Sequence, residues 1–169
     1  RSVFMLVVTF FSTFSNIVFA KKIGDEAYLE KKGDCGHHLQ YWKEEKGLWS
    51  YINCTYVTYN ENGKEYPAYC LNRDAHGVGD VDNYSVDLTQ VLDVRIWRTI
   101  INAYPYKSPE QLGVENEYDA FVATKQAVYC IIYDWDAASR FRGADERGTK
   151  IANAIVNLSN IGRNGTQTP

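Results

Sequence analysis

Trp49-Ser50-Tyr51-Ile52-Asn53-Cys54-Thr55-Tyr56-Val57-Thr58-Tyr59, then Asn60-Glu61-Asn62-Gly63, then Lys64-Glu65-Tyr66-Pro67-Ala68-Tyr69-Cys70-Leu71, is the stretch on which the fold turns. The first run is rich in Tyr, Val, Ile and Thr, which fit a half-buried pleated surface. Asn and Gly tolerate positive φ, so the middle run reads as a tight turn and the third as a returning strand. The expectation is a hairpin of residues 49–59 and 64–71. Pro67 has no N–H to donate to a ladder, so either the second strand lies at a sheet edge or Pro67 sits where no ladder bond is required. Cys70 therefore falls near the end of a strand, with the polar loop from Asn72 to Asp80 behind it.

Working outward, residues 21–34 are charged and turn-like, and Leu39 to Trp42 is a short aromatic strand. From about Asp87 the apolar period becomes helical, with Val91, Leu92, Val94, Trp97, Ile100, Ile101 and Tyr104 recurring at threes and fours before Pro105. Ser108-Pro109-Glu110-Gln111 has the form of a capping box with Pro in the first turn. Two longer helical patterns follow, from about Asn116 to Tyr133 and from about Asp145 to Ile161. Strands first and helices second predict an α+β fold, an antiparallel β-sandwich or partial barrel packed against a helical subdomain.

Composition narrows the class. Of 169 residues, 45% are hydrophobic and 23% charged, which is globular rather than disordered. A formal charge of −3 with scattered Lys and Arg lacks the concentrated basic face that nucleic acid requires. Residues 1–20 are nearly charge-free after Arg1 and end in Val18-Phe19-Ala20 before Lys21-Lys22, as a truncated secretory signal does. A short membrane anchor is the competing reading of that run. The expected organisation is a signal at 1–20, one domain at 21–162 and the start of a linker at 163–169. The mature domain is expected to be monomeric and off the membrane, with no cofactor and no metal site.

Cys35, Cys54, Cys70 and Cys130 are then read in an exported context, where an even count invites disulfides. Four cysteines allow three pairings, and sequence does not choose among them. Two segments carry the sharper signal, Tyr66-Pro67-Ala68-Tyr69-Cys70-Leu71 and, 56 positions after Cys70, the Gln126 of Ala123-Thr124-Lys125-Gln126-Ala127-Val128-Tyr129. In this order they resemble the thioester-domain family of Gram-positive surface adhesins, the TQXA-type domains, whose signature is an aromatic-Cys-aliphatic segment followed by a Thr-Gln-containing helix. Gly33-Asp34-Cys35-Gly36-His37-His38-Leu39-Gln40-Tyr41, Arg95-Ile96-Trp97-Arg98 and Gly143-Ala144-Asp145-Glu146-Arg147-Gly148 add to the resemblance, which spans residues 33–162. One departure stands out. Many members read Thr-Gln-x-Ala, whereas here Lys125 stands between Thr124 and Gln126, a step of about 100° around a helix.

The resemblance implies that the Cys70 thiol condenses with the Gln126 carboxamide, losing ammonia and leaving a thioester. An amine on a host surface or matrix protein, such as a lysine side chain, then attacks that acyl group and forms a lasting amide without turnover. Water competes, so the bond needs shelter and oriented dipoles. Tyr69 and Tyr129 are the candidate sheltering residues, and His76 and Asp74 the candidates for proton transfer. The resemblance further implies display at the cell surface through a wall anchor beyond Pro169. Two other readings compete. One is a secreted cysteine-nucleophile hydrolase using Cys70 with His76, His37 or His38 as base, and the other is a disulfide-stapled module that binds without covalent chemistry.

Overall fold

Alternating aromatic and β-branched residues build the first half into antiparallel sheets. The computed structural model describes residues 5–6, 26–61, 63–74, 83–85 and 93–169, with the backbone alone at 5–6, 26–28, 61 and 83–85. In the larger sheet β2 (Glu26–Cys35) pairs with β5 (Cys54–Glu61), β5 pairs with β6 (Lys64–Pro67), and β8 (Asn83–Ser85) lies on the far side of β2. The second sheet places β3 (Leu39–Lys43) between β4 (Leu48–Tyr51) and β9 (Phe141–Gly143). A short pairing joins β1 (Met5–Leu6) to β7 (Tyr69–Cys70).

The hairpin expected around Asn60-Glu61-Asn62-Gly63 forms between β5 and β6. Gly63 takes φ 78° and donates its N–H to Asn60 Oδ1 at 3.0 Å. Pro67 lies opposite Thr58 on an edge strand, as its missing N–H requires. The run 49–59 is nevertheless two strands. Leu48–Tyr51 pairs with β3, and Cys54–Glu61 pairs with β2, so the chain changes sheets at Ile52 and Asn53. Buried Ile52 pins the crossing by donating its N–H to the Leu39 carbonyl at 3.0 Å.

Residues 26–35 correct a second expectation. They are charged but form a full strand, because the charges lie on a solvent face where Lys32 Nζ pairs with Glu65 across the sheet at 2.6 Å and with Glu30 at 3.1 Å. β9 also departs from the strands-then-helices order, returning from the helical half to pair with β3.

Each helix starts at a side-chain cap. Asp93 caps α1 (Val94–Ile101), Asn116 caps α3 (Glu117–Ile132), Asp136 caps α4 (Ala137–Arg140), and Asp145 caps α5 (Glu146–Asn164). Ser108 and Gln111 complete the expected reciprocal box on α2 (Pro109–Leu112). The helical pattern before Asp93 lies outside the described residues. At the other end α5 continues past Ile161, and the segment beyond it is held against α1. There Arg98 Nε donates to the Gln167 carbonyl at 2.6 Å and Asn102 to the Gln167 side chain at 2.7 Å. No helix among the described residues is long and apolar enough to cross a membrane.

α3 is the centre of the molecule. Buried residues surround it instead of lying on one stripe, as expected of a helix packed on all sides. Ala120, Ala123 and Ala127, at helical spacing and fully buried, let neighbouring elements approach closely. Cys35, Leu39, Ile52, Cys54 and Tyr56 from the sheets share one core with these alanines, Phe121 and the α5 residues Ile151, Ile155 and Leu158. Buried Asp119 accepts two hydrogen bonds from Arg147, at 2.9 and 3.0 Å, locking α3 to α5.

α5 in turn meets β3 at Gly148, where an added Cβ would run into the His38 carbonyl. Backbone on both sides leaves little room to relax. Gly148→Ala is therefore expected to destabilise the fold at the upper end of the roughly 1–3 kcal/mol typical of overpacking, measured as a lowered urea midpoint. An unchanged midpoint would contradict the close approach.

Candidate functional site

Cys70 is held between two anchors. Before it, Tyr69 is 1% exposed, stacks on Phe121 with ring centroids 4.8 Å apart, and donates its hydroxyl hydrogen to the Tyr104 carbonyl at 2.7 Å. After it, Leu71 packs on the cluster of Ile96, Ile100, Val128 and Ile131. Cys70 itself is half-buried, its thiol donating to the Asn72 carbonyl at 3.1 Å. The following loop is tied down as well. The Arg73 N–H donates to the Tyr133 hydroxyl at 3.1 Å, and the Asp74 N–H to Asn72 Oδ1 at 3.0 Å.

The second segment lies on α3. Thr124, fully buried, donates its hydroxyl hydrogen to the Ala120 carbonyl at 2.8 Å and accepts the Tyr104 N–H at 3.2 Å. Tyr104 thus accepts a bond from Tyr69 and donates one to Thr124, the anchor residues of the two segments, and couples them. Gln126 is 7% exposed and Tyr129 5%. Residues three and four apart on a helix are neighbours, so Gln126 and Lys125 both lie one turn before Tyr129. All three line a cleft of about 270 Å³ together with Cys54, Arg73 and Arg140.

Tyr129 connects the two segments. Its phenol is held well above the usual tyrosine range, first by burial and next by the neighbouring Cys70 sulfur. A phenol so held stays protonated and presents an O–H where sulfur chemistry would occur. Its ring meets Tyr133 edge-on at 5.8 Å, Tyr133 stacks on Trp135 at 5.1 Å, and the Arg140 guanidinium lies 3.7 Å over Trp135. Buried Tyr129, half-buried Tyr133 and Trp135, and a capping cation flank this end of the cleft. Arg140 Nε is buried without a hydrogen-bond partner, and burial lowers the pKa of that guanidinium.

Cys70 thus neighbours Tyr129, Tyr129 shares the cleft with Gln126, and Tyr69 anchors the strand beside Cys70, whereas Asp74 does not join them. The Asp74 side chain is 78% exposed and faces Arg73 at 3.5 Å. His76 lies outside the described residues. His38 is engaged elsewhere, with Nδ1 2.6 Å from the carboxylate of Asp145 at the α5 cap. Lys125 and Arg140 were not singled out by sequence reasoning, although the position of Lys125 inside the motif was the available signal.

The remaining cysteines separate by environment. Cys130 faces α5 near Ser159, its thiol pushed up to about 11 chiefly by burial. Cys35 and Cys54 adjoin each other across β2 and β5. Among the described residues no cluster of three or more His, Cys, Asp or Glu could hold a metal. A larger cleft of about 700 Å³ beside α2 and α5 contains none of the residues considered so far as candidates.

The comparisons with known proteins agree on one family. The thioester domain family model matches residues 67–161, more than half of the chain, and includes both segments. Among solved structures, a Bacillus anthracis TIE protein superposes with a TM-score of 0.66 at 17% identity, over 85% of this chain and 25% of that one. The thioester domain of the Enterococcus faecium TIE86 protein gives 0.64 at 14% identity, over 89% of this chain and 53% of that one. This chain thus spans about a quarter and about half of those two. At such identities the likeness is one of fold. No curated protein sequence matches.

Removing the Thr124 hydroxyl leaves the Tyr104 N–H without its acceptor. Thr124→Val should therefore cost about 1–3 kcal/mol, the penalty for orphaning a buried donor, read from denaturant unfolding. A cost near zero would show that Thr124 does not couple the segments.

Proposed function

Since this chain belongs to the thioester domain family, we propose that it is the capture domain of a secreted surface adhesin, in which Cys70 and Gln126 form an internal thioester that acylates an amine on a host ligand. The observation that carries this reading is the position of Tyr129. It neighbours Cys70, whose sulfur helps to hold its phenol protonated, and it shares a cleft with Gln126 one helical turn away.

The chemistry balances simply. The Cys70 sulfur leaves the Asn72 carbonyl and attacks the Gln126 amide carbon, an S–C bond forms, the C–N bond breaks, and nitrogen departs as ammonia with the thiol proton. Attack by a primary amine reverses the activation. The C–S bond breaks, an amide forms, and the Cys70 thiol is regenerated. The protonated Tyr129 phenol is positioned to donate to the oxygen or sulfur that gains charge in either step. Because the product amide is inert, each molecule reacts once, as binding rather than turnover.

Tyr69 and the wall of Tyr133, Trp135 and Arg140 supply the shelter that keeps water from the acyl group. The two solved relatives, one a TIE protein and the other the thioester domain of a TIE86 protein, support the same reading. The host-side nucleophile is taken to be a lysine amine, and the wall-anchored display and the secretory signal at residues 1–20 belong to this proposal too.

Intact mass tests it. The mature domain should weigh one ammonia less than its sequence, and should gain the mass of methylamine on incubation with it. Cys70→Ala and Gln126→Ala should lose both effects, whereas Lys125→Ala should keep them. Full sequence mass in the unmodified domain would refute the thioester, and loss of the deficit in Lys125→Ala alone would show an isopeptide made by the Lys125 amine, which also releases ammonia, instead of a thioester.

A further inference from the structure

Cys35 and Cys54 stand directly opposite one another. Cys35 ends β2, Cys54 begins β5, and the two are partners in the antiparallel register. Each is 4% exposed, and each thiol perturbs the other's ionisation. Opposed residues in antiparallel strands have Cβ atoms about 4.5–5.5 Å apart, close to the roughly 3.5–4.5 Å that a disulfide bridges. Cys130, by contrast, faces Ser159 on α5, and Cys70 faces Asn72 and Tyr129. Of the six pairs that four cysteines offer, the fold puts this one in register.

The pair also borders the reactive cleft. Cys54 lines it beside Gln126 and Lys125. The neighbouring Cys35 thiol, followed by the charge of Lys125, lowers the Cys54 pKa, while the same contact and burial hold Cys35 protonated. Left reduced, Cys54 is a second nucleophile next to the carboxamide that Cys70 is meant to use.

We propose that Cys35 and Cys54 are joined by a cross-strand disulfide in the exported protein, and that this bond withdraws Cys54 from competition with Cys70 for Gln126. The disulfide itself stands on the register alone, and its protective role rests on the thioester reading. In the oxidation both thiols give up their protons and together two electrons, an S–S bond forms, and an incoming disulfide of a thiol-exchange partner is reduced to two thiols. Cys54 is the natural point of entry, because it opens onto the cleft.

The test is a non-reducing peptide map of protein secreted through an oxidising compartment, alkylated under acidic denaturing conditions. The Cys35 and Cys54 peptides should appear linked, two hydrogens lighter than their sum, with Cys130 alkylated singly. Singly alkylated Cys35 and Cys54 would overturn the proposal. The ammonia deficit of the intact protein reads the thioester separately, so either bond can fail without the other. The protective role is read in Cys35→Ser/Cys70→Ala, where the freed Cys54 should restore an ammonia deficit that Cys70→Ala alone lacks. A double variant at full sequence mass would overturn that role.

Discussion

Burial of α3 is the constraint on which the rest of the structure depends. A helix enclosed on all sides has to pack without voids, which its alanines permit, and has to satisfy every polar group it carries inward. Asp119 meets that demand through the two bonds from Arg147, and Thr124 through Ala120 and Tyr104. Gln126 is different. It is nearly as buried, yet no hydrogen bond holds its carboxamide to a described residue, and it opens onto a cleft instead. Two of the inward polar groups hold the helix in place, and the third is left available for chemistry.

The same burial explains how a strand from one half of the chain is brought to a helix from the other. Tyr69 stacks on Phe121 of α3, and both Tyr69 and Thr124 bond to Tyr104. With Leu71 anchored on the far side, Cys70 has little freedom except at its own side chain. The reacting groups are therefore presented by two rigid elements rather than by mobile loops, which favours a fixed approach geometry. The protonated Tyr129 and the stacked Tyr133, Trp135 and Arg140 add a donor and a wall to that arrangement.

Much of this was legible from residue patterns, and what was not has identifiable causes. Asn60 to Gly63 revealed a hairpin because turn chemistry is local, and Ser108 to Gln111 revealed a capped helix for the same reason. Pro67 pointed to an edge strand because it lacks a donor. Residues 26–35 were misread because charged side chains on a solvent face obscure a strand whose pairing with β5 is long-range. The split of 49–59 depended on which sheet each half joins, and no local preference encodes that. At the site, Cys70 and Gln126 are proposed from residue type, spacing and resemblance, whereas the presence of Lys125 and Arg140 at the cleft that Gln126 lines depends on folding α3 and α4 together. The facing of Cys35 and Cys54 follows from the β2–β5 register, which sequence alone does not choose.

The central claim concerns one carbon atom, the acyl carbon of Gln126. The chain has five glutamines, at positions 40, 90, 111, 126 and 167. Carbon-13 NMR of protein labelled at the glutamine side-chain carbonyl therefore reports on each chemically distinct environment. The account predicts that one resonance, assigned to Gln126, moves downfield from the amide range to the thioester range and returns to it in Cys70→Ala. Five resonances in the amide range for the unmodified domain would contradict it.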